Sequence, residues 1–384
     1  VAISQYYVDY GAGSDATGDG TIGTPWKTIQ KALDTITRNS TDGDQINVKA
    51  GTAQVLGASL TLATYGTPKE SAQLVLRGYT SAANDGGMGE IDCGGYTMWA
   101  ATTYDYIMLI DLECHTFGDN NGIALDDYIT IFHCEVHKGA STPSWKYLIT
   151  LTGPSMHNVT GCYVHDPGDG NSRCISANTV GGRIYGNYVV CDTLMDAGCG
   201  IYATYAMTSN NIVVCKGTGQ IGIYAFGGGS NQTNNIVYNT TAGTGSGIFV
   251  YLGGRNQICL NNIVVGWSGA GGEGIGASAD FFGGYNAFYN NTSNYTIAGV
   301  NYLDLTANDV ALAADPFTDA ANGDFSLTAA AKTALAAKGF PLAYLGAHAN
   351  TVPNLNIGPI QLAASSGGGG GGGGFPILGG SVVR

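Results

Sequence analysis

The chain has 384 residues, of which 61 are glycine, 23 tyrosine and 44% apolar overall, so it carries enough to bury and is not a disordered protein. Charged residues make up only 11%, and 28 acidic against 15 basic side chains leave a net charge of −13. That balance excludes the electrostatic footprint of a nucleic-acid or anionic-membrane binder, and no run approaches the ~18 apolar residues of a membrane-spanning helix.

Residues 1–10 lack the basic flank and apolar stretch of a signal peptide. The nine cysteines are odd in number and without CxxC pairs, which predicts free thiols in a chain folded in a reducing cell. Residues 6–10 read as a strand and 11–23 as a Gly/Asp loop. Within it, Asp15-Ala16-Thr17-Gly18-Asp19-Gly20 matches the first half of a calcium loop, but Trp26 stands where the twelfth-position Glu belongs, and a plain turn is the simpler reading. The expectation is therefore no cofactor, with calcium at this loop as the alternative. A helix is expected next, with Thr24 as N-cap, Pro25 at its first position and an apolar face of Trp26, Ile29, Leu33 and Ile36. Asp42-Gly43-Asp44 then turns into a strand over residues 45–49. Such a helix suits one open end of a stacked structure.

A repeat follows. Ile123, Ile149, Ile175, Ile201, Ile223, Ile248 and Ile275 recur at steps of 22–27 residues, most of them preceded by Gly and followed at the second position by a small or aliphatic residue. In phase with them run Asn187, Asn211, Asn235, Asn262 and Asn286, and Cys134 and Cys162 extend that column upstream. Each repeat supplies short strands of period two and no helix, so βαβ units are excluded. A repeat too small to bury its own core must stack on its neighbours, which predicts a solenoid with the Ile column inside. Recurring inward Asn side chains can then hydrogen-bond from rung to rung. Cys191 and Cys215 share another inward column; these stacked cysteines read as small buried fillers, and a disulfide between neighbouring rungs ~4.8 Å apart is the alternative.

The same register places His115, His137 and His165 in one outward column, with Glu113 and Glu135 two residues before the first two. Stacked imidazoles suit metal binding or acid–base chemistry, and a solvated polar face explains them equally. The loops that follow hold His165, Asp166, Asp169 and Arg173, then Asp192 and Asp196. Carboxylates on neighbouring rungs fit the ~5–9.5 Å separations of glycoside hydrolases, although Asp is also a common turn former. If the chain is an enzyme, these six are its catalytic candidates.

Further along, the outward columns turn apolar: Ile212 with Val214, Ile236 with Tyr238, and Ile263 with Val265, while Tyr202, Tyr224 and Phe249 face outward on the neighbouring strand. A sheet apolar on both faces needs covering. The expectation is a homotrimer packed on this face, with Phe375, Ile377 and Leu378 docking on another subunit or virion protein across the eight-glycine tether at 367–374; the alternative is that residues 300–360 fold back over it. The implied division is 1–44 for the N-terminal capping part, 45–299 for the solenoid, 300–366 for a C-terminal cap and 367–384 for the glycine linker and apolar tail.

Tyr6-Tyr7-Val8-Asp9, the Gly-Asp-Gly-Thr turn, Pro25-Trp26-Lys27-Thr28-Ile29-Gln30-Lys31-Ala32-Leu33 and Gly43-Asp44-Gln45-Ile46 together resemble the N-terminal start of right-handed parallel β-helix proteins of the pectate-lyase-like superfamily, phage tailspikes included. The resemblance implies an all-β, right-handed parallel β-helix and leaves activity open, because the superfamily hosts lyases, glycosidases, adhesins and virion proteins. No Trp-Ile-Asp-His-type motif of pectate lyases is present. The expected function is therefore a structural or receptor-binding phage virion protein, possessing a host glycan as a partner. The alternatives are a secreted or virion-borne polysaccharide lyase or glycoside hydrolase acting on acidic glycans, and a bacterial surface adhesin.

Overall fold

Short alternating runs separated by glycine and asparagine dictate the architecture. The computed structural model describes residues 3–100, 104–118, 121–138, 147–167, 172–178, 180–191, 198–251, 257–278, 280–298, 301–336 and 338–340. Over most of that length the chain winds through three parallel sheets of 12, 11 and 8 strands. One turn runs through Asn158–Thr160 in the first sheet, Tyr163–His165 in the second and Arg173–Asn178 in the third, then returns to the first at Arg183–Tyr185. The fold is an all-β parallel solenoid. Its first sheet already begins with Ser4–Val8, paired in register with Asp44–Lys49.

Asn and Gly occur where the corner between the first and second sheets needs left-handed backbone. Gly161, Gly186, Asn210, Asn234 and Asn261 all sit there with φ between 57° and 65°. These residue types enter that region at the lowest steric cost. Asp111, His133 and Tyr285 hold the same corner on other turns at φ 53–55°, and after Gly186, Asn210, Asn234 and Asn261 the next residue is a buried Asn.

The predicted isoleucine column is continuous. Ile123, Ile149, Ile175, Ile201, Ile223, Ile248 and Ile275 pair one with the next along the third sheet, and every one is fully buried. The asparagine ladder forms as well. Asn235 Oδ1 accepts the backbone N–H of Asn211 at 3.1 Å and its side-chain amide at 3.0 Å, while Asn235 Nδ2 donates to Thr208 O and to Asn262 Oδ1, both at 3.0 Å. The same pattern links Asn187, Asn211, Asn262 and Asn286, and Asn187 Oδ1 accepts the N–H of Cys162. Interior backbone groups left open at the corner are thereby satisfied. All nine cysteines are free and buried, with Cys191 and Cys215 directly opposed.

At the N-terminal end the helix is shorter than the sequence suggests. Helix α1 spans Ile29–Thr35 and is capped by Thr28, whose hydroxyl accepts the Lys31 N–H. Trp26 is instead drawn into a bridge with Val8, and Asp15 accepts the N–H groups of Lys27 and Thr28, so the chain cannot coil before Thr28. Ile29, Ala32 and Leu33 then close the solenoid end. Asp15 and Asp19 both serve as turn acceptors, and the bonds from Thr24 and Thr21 hold the Asp19 carboxyl down at about 2.

At the other end an antiparallel pair, Phe317–Asp319 with Asp324–Leu327, leads into helix α2 at Ala329–Leu335. This segment lies on the outer face of the second sheet. Val214, Ile236, Ile263 and Val265 are buried with Phe317, Phe325, Leu327 and Leu335 in a second core separate from the solenoid interior, and Ile212 and Tyr238 pack against it. The expectation that these six residues form a subunit interface is corrected: the chain covers them itself. Their apolar surface is the same, but a local hairpin reaches it at far lower entropic cost than a second molecule. Phe375, Ile377 and Leu378 lie outside the described residues.

Candidate functional site

Two outward surfaces carry chemistry. One is the early half of the second sheet. Register places Glu90, Glu113 and Glu135 in one column and Asp92, His115 and His137 two residues further on, with His165 next to His137. The three imidazoles stack, with centroids 5.2 Å apart for His115–His137 and 4.8 Å for His137–His165. Each reaches back to the carboxylate of the preceding rung: His115 to Glu90 at 3.1 Å, His137 to Glu113 at 3.3 Å and His165 to Glu135 at 3.1 Å.

The chain direction and the pleat produce this zipper, because residues i and i+2 share a face and in-register stacking repeats them every rung. His165 ends its strand. Asp166 follows with φ 49° and its Oδ2 accepts the His165 Nδ1–H at 2.8 Å. Burial works against a charged His165, yet the hydrogen bonds to Asp166 and Glu135 overcome it and raise its pKa above the ordinary value. The bond from His165 lowers Asp166 in turn. His137 goes the other way: burial lowers it, and its neighbours His165 and His115 add to that effect beyond what Glu113 restores.

Of the proposed loop carboxylates, Asp166 sits beside His165, whereas Asp169, Asp192 and Asp196 lie outside the described residues. Arg173 is not a loop residue. It is the first residue of a third-sheet strand, and its guanidinium lies 3.7 Å from the ring centre of Tyr202 and 4.9 Å from that of Tyr147.

Arg173 marks the start of the second surface, the outer face of the third sheet. Tyr202 and Tyr224 are register partners with stacked rings 5.2 Å apart, and Phe226 and Tyr251 form the next column at 5.7 Å. Phe249 lies 5.6 Å from Tyr224 and 5.9 Å from Tyr251. All five rings are half-buried, so each keeps an exposed part. Burial, with Tyr202 and Tyr251 beside it, pushes the Tyr224 hydroxyl up to about 12. The outward positions of Tyr202, Tyr224 and Phe249 were legible in the repeat. Phe226, Tyr251 and the stacked Arg173 were missed, and the signal that finds them is the same register read two residues further on.

The arrangement is a flat aromatic strip over three successive rungs with a cation at one end. Rungs at ~4.8 Å give it a length of about 14 Å from Arg173 to Phe249. Such a strip offers CH–π and stacking contact to flat, weakly polar faces and charge to an anionic group.

No protein-family model and no curated protein matches the chain. Among solved structures it is similar to a pectate lyase (TM-score 0.48, 11% identity, 94% of this chain and 97% of that one). It is also similar to a rhamnogalacturonan lyase (0.45, 12%, 86% and 98%). A lacto-N-biosidase from Eubacterium ramulus is a third (0.43, 13%, 80% and 68%). These likenesses concern the parallel β-solenoid and carry nothing about the chemistry of either surface.

Proposed function

We propose that this chain is a glycan-binding solenoid of the receptor-binding kind, which holds an extended oligosaccharide along the outer face of its third sheet. The observation that carries this reading is the continuous strip of Tyr202, Tyr224, Phe226, Phe249 and Tyr251 ending in the stacked Arg173. Sugar rings present apolar C–H faces that stack on aromatic rings, and the rung spacing is close to the length of one pyranose unit in an extended chain. A protein surface otherwise poor in positive charge keeps one guanidinium here, at the end of the strip. The resemblance of the N-terminal segment to tailspike-type β-helices supports a place on a phage particle, where adsorption to a host polysaccharide is the task.

The test is a glycan array followed by affinity electrophoresis in gels containing the hit polysaccharide. Wild-type protein is expected to be retarded, and Tyr224→Ala with Phe249→Ala to lose retardation by roughly tenfold or more, at about 0.5–1.5 kcal/mol per ring. Equal retardation of the double variant removes this surface from consideration. Shortening of the glycan by the wild-type protein replaces the binding reading with an enzymatic one.

A further inference from the structure

We propose that Glu135, His137 and His165 form a binding site for a divalent transition-metal cation of the zinc type on the outer face of the second sheet. Glu135 and His137 come from one strand and His165 from the next, paired in register with His137. One donor atom from each residue lies within 4.8 Å of the other two. Zinc with bonds of about 2.0–2.2 Å holds tetrahedral donors roughly 3.4 Å apart. Rotation of three side chains on a fixed pleat supplies that contraction. Two imidazoles and a carboxylate are a donor set zinc accepts, whereas calcium and magnesium require shells of oxygen.

Two features separate these residues from an ordinary polar face. Asp166 Oδ2 accepts the Nδ1–H of His165 at 2.8 Å, which fixes the ring and leaves Nε2 as the atom turned to Glu135, 3.1 Å away. A carboxylate behind a ligating imidazole is the outer contact that orients it and strengthens it as a donor. The preceding Glu113–His115 rung lacks this, because His115 Nδ1 faces the Thr116 hydroxyl instead. The imidazole pair is also better disposed: His137 and His165 are 4.8 Å apart and 12° from parallel, against 5.2 Å and 21° for His115 and His137.

Glu113, 3.3 Å from His137 Nε2, stands within reach as a further donor. The side chains of Glu135, His137 and His165 are 14–24% exposed, so the site opens to water. On binding, the cation takes the place of the proton between His165 Nε2 and Glu135, and that proton passes to solvent. The site is on a different sheet from the aromatic strip and does not depend on glycan binding.

The experiment is calorimetric titration of the reduced, full-length chain with zinc chloride, and cobalt(II) spectra of the same samples. One equivalent is expected. His137→Ala and His165→Ala should each weaken binding at least tenfold, and His115→Ala should leave it unchanged. Asp166→Asn keeps all three donors and should weaken it about tenfold, a test that survives if an alanine variant fails to fold. Cobalt should give d–d bands without thiolate charge transfer, which separates this site from the cysteines. The proposal is overturned by a titration without saturable heat, by unchanged affinity in both His165→Ala and Asp166→Asn, or by a thiolate band.

Discussion

The Tyr238 hydroxyl donates to Asp315 Oδ2 at 2.8 Å, across 77 residues of sequence. This bond joins the outer face of the second sheet to the segment that covers it. Around it Phe317 and Phe325 meet Tyr238 edge-on at 5.9 and 5.7 Å, and each other at 5.1 Å. Phe325→Ala should destabilise the chain by about 3–5 kcal/mol, in the range of large buried aromatics. Urea denaturation measures it, and a change below ~1 kcal/mol would mean that the hairpin contributes little.

Ile236 and Ile263 lie beneath that hairpin, almost fully buried. Placing Asp at Ile236 puts an unpaired charge there and should cost about 4 kcal/mol or more. Because the cover is intramolecular, limited proteolysis of the variant should cut within 312–335 while the solenoid stays protected. A variant that merely changes sedimentation, with its C-terminal segment still protected, would restore a subunit interface.

The asparagine ladder predicts an order of effects. Asn235→Ala strips partners from the Asn211 N–H and from Thr208 O, each at about 1–3 kcal/mol when buried and unsatisfied. Asn235→Asp is expected to be worse, since it sets a buried carboxylate against Thr208 O and Asn262 Oδ1, two acceptors. Denaturation midpoints should fall in the order wild type, Ala, Asp.

His157 supplies a pH dependence. It is 1% exposed, its Nδ1 accepts the Ile129 N–H, and its Nε2 donates to Gly153 O. Burial lowers its pKa below the ordinary value. The unfolded chain therefore binds a proton at this residue more readily, starting near pH 6.5, and stability contributed by neutral His157 is lost as pH falls below that point. Thermal melts between pH 5 and 8 should show a shallower acid-side loss in His157→Gln than in wild type, as an order of magnitude within about one proton of slope. An identical slope in the two proteins would remove His157 as a cause.

The nine thiols should be inert in the folded chain, because all are buried. Burial also raises the thiol pKa of Cys93, Cys114, Cys199 and Cys259. A chromogenic thiol reagent is expected to titrate essentially none before denaturant is added and all nine after. Rapid reaction of several cysteines in native buffer would contradict the burial of these columns.

What the sequence determined by itself is whatever repeats. In a parallel, in-register solenoid a residue recurring every ~25 positions is carried to the same place on every rung, so Ile201 over Ile223, Asn211 over Asn235 and His137 over His165 follow from spacing alone. The need to cover Ile236 and Ile263 was equally legible, since hydrophobicity on both faces of a sheet states that requirement. What covers them was not, because Phe317, Phe325 and Leu335 bear no periodic relation to that face. Only the tertiary structure decided that the partner is the chain's own hairpin. The same holds for Arg173, which sequence neighbours assign to an acidic loop and which cation–π attraction from Tyr147 and Tyr202 instead draws onto the third sheet. Helix α1 starts at Ile29 for a like reason: Val8 and Asp15 capture Trp26, Lys27 and Thr28 first. Contacts between distant, unrepeated residues depend on closure of the whole fold, and no local pattern encodes them.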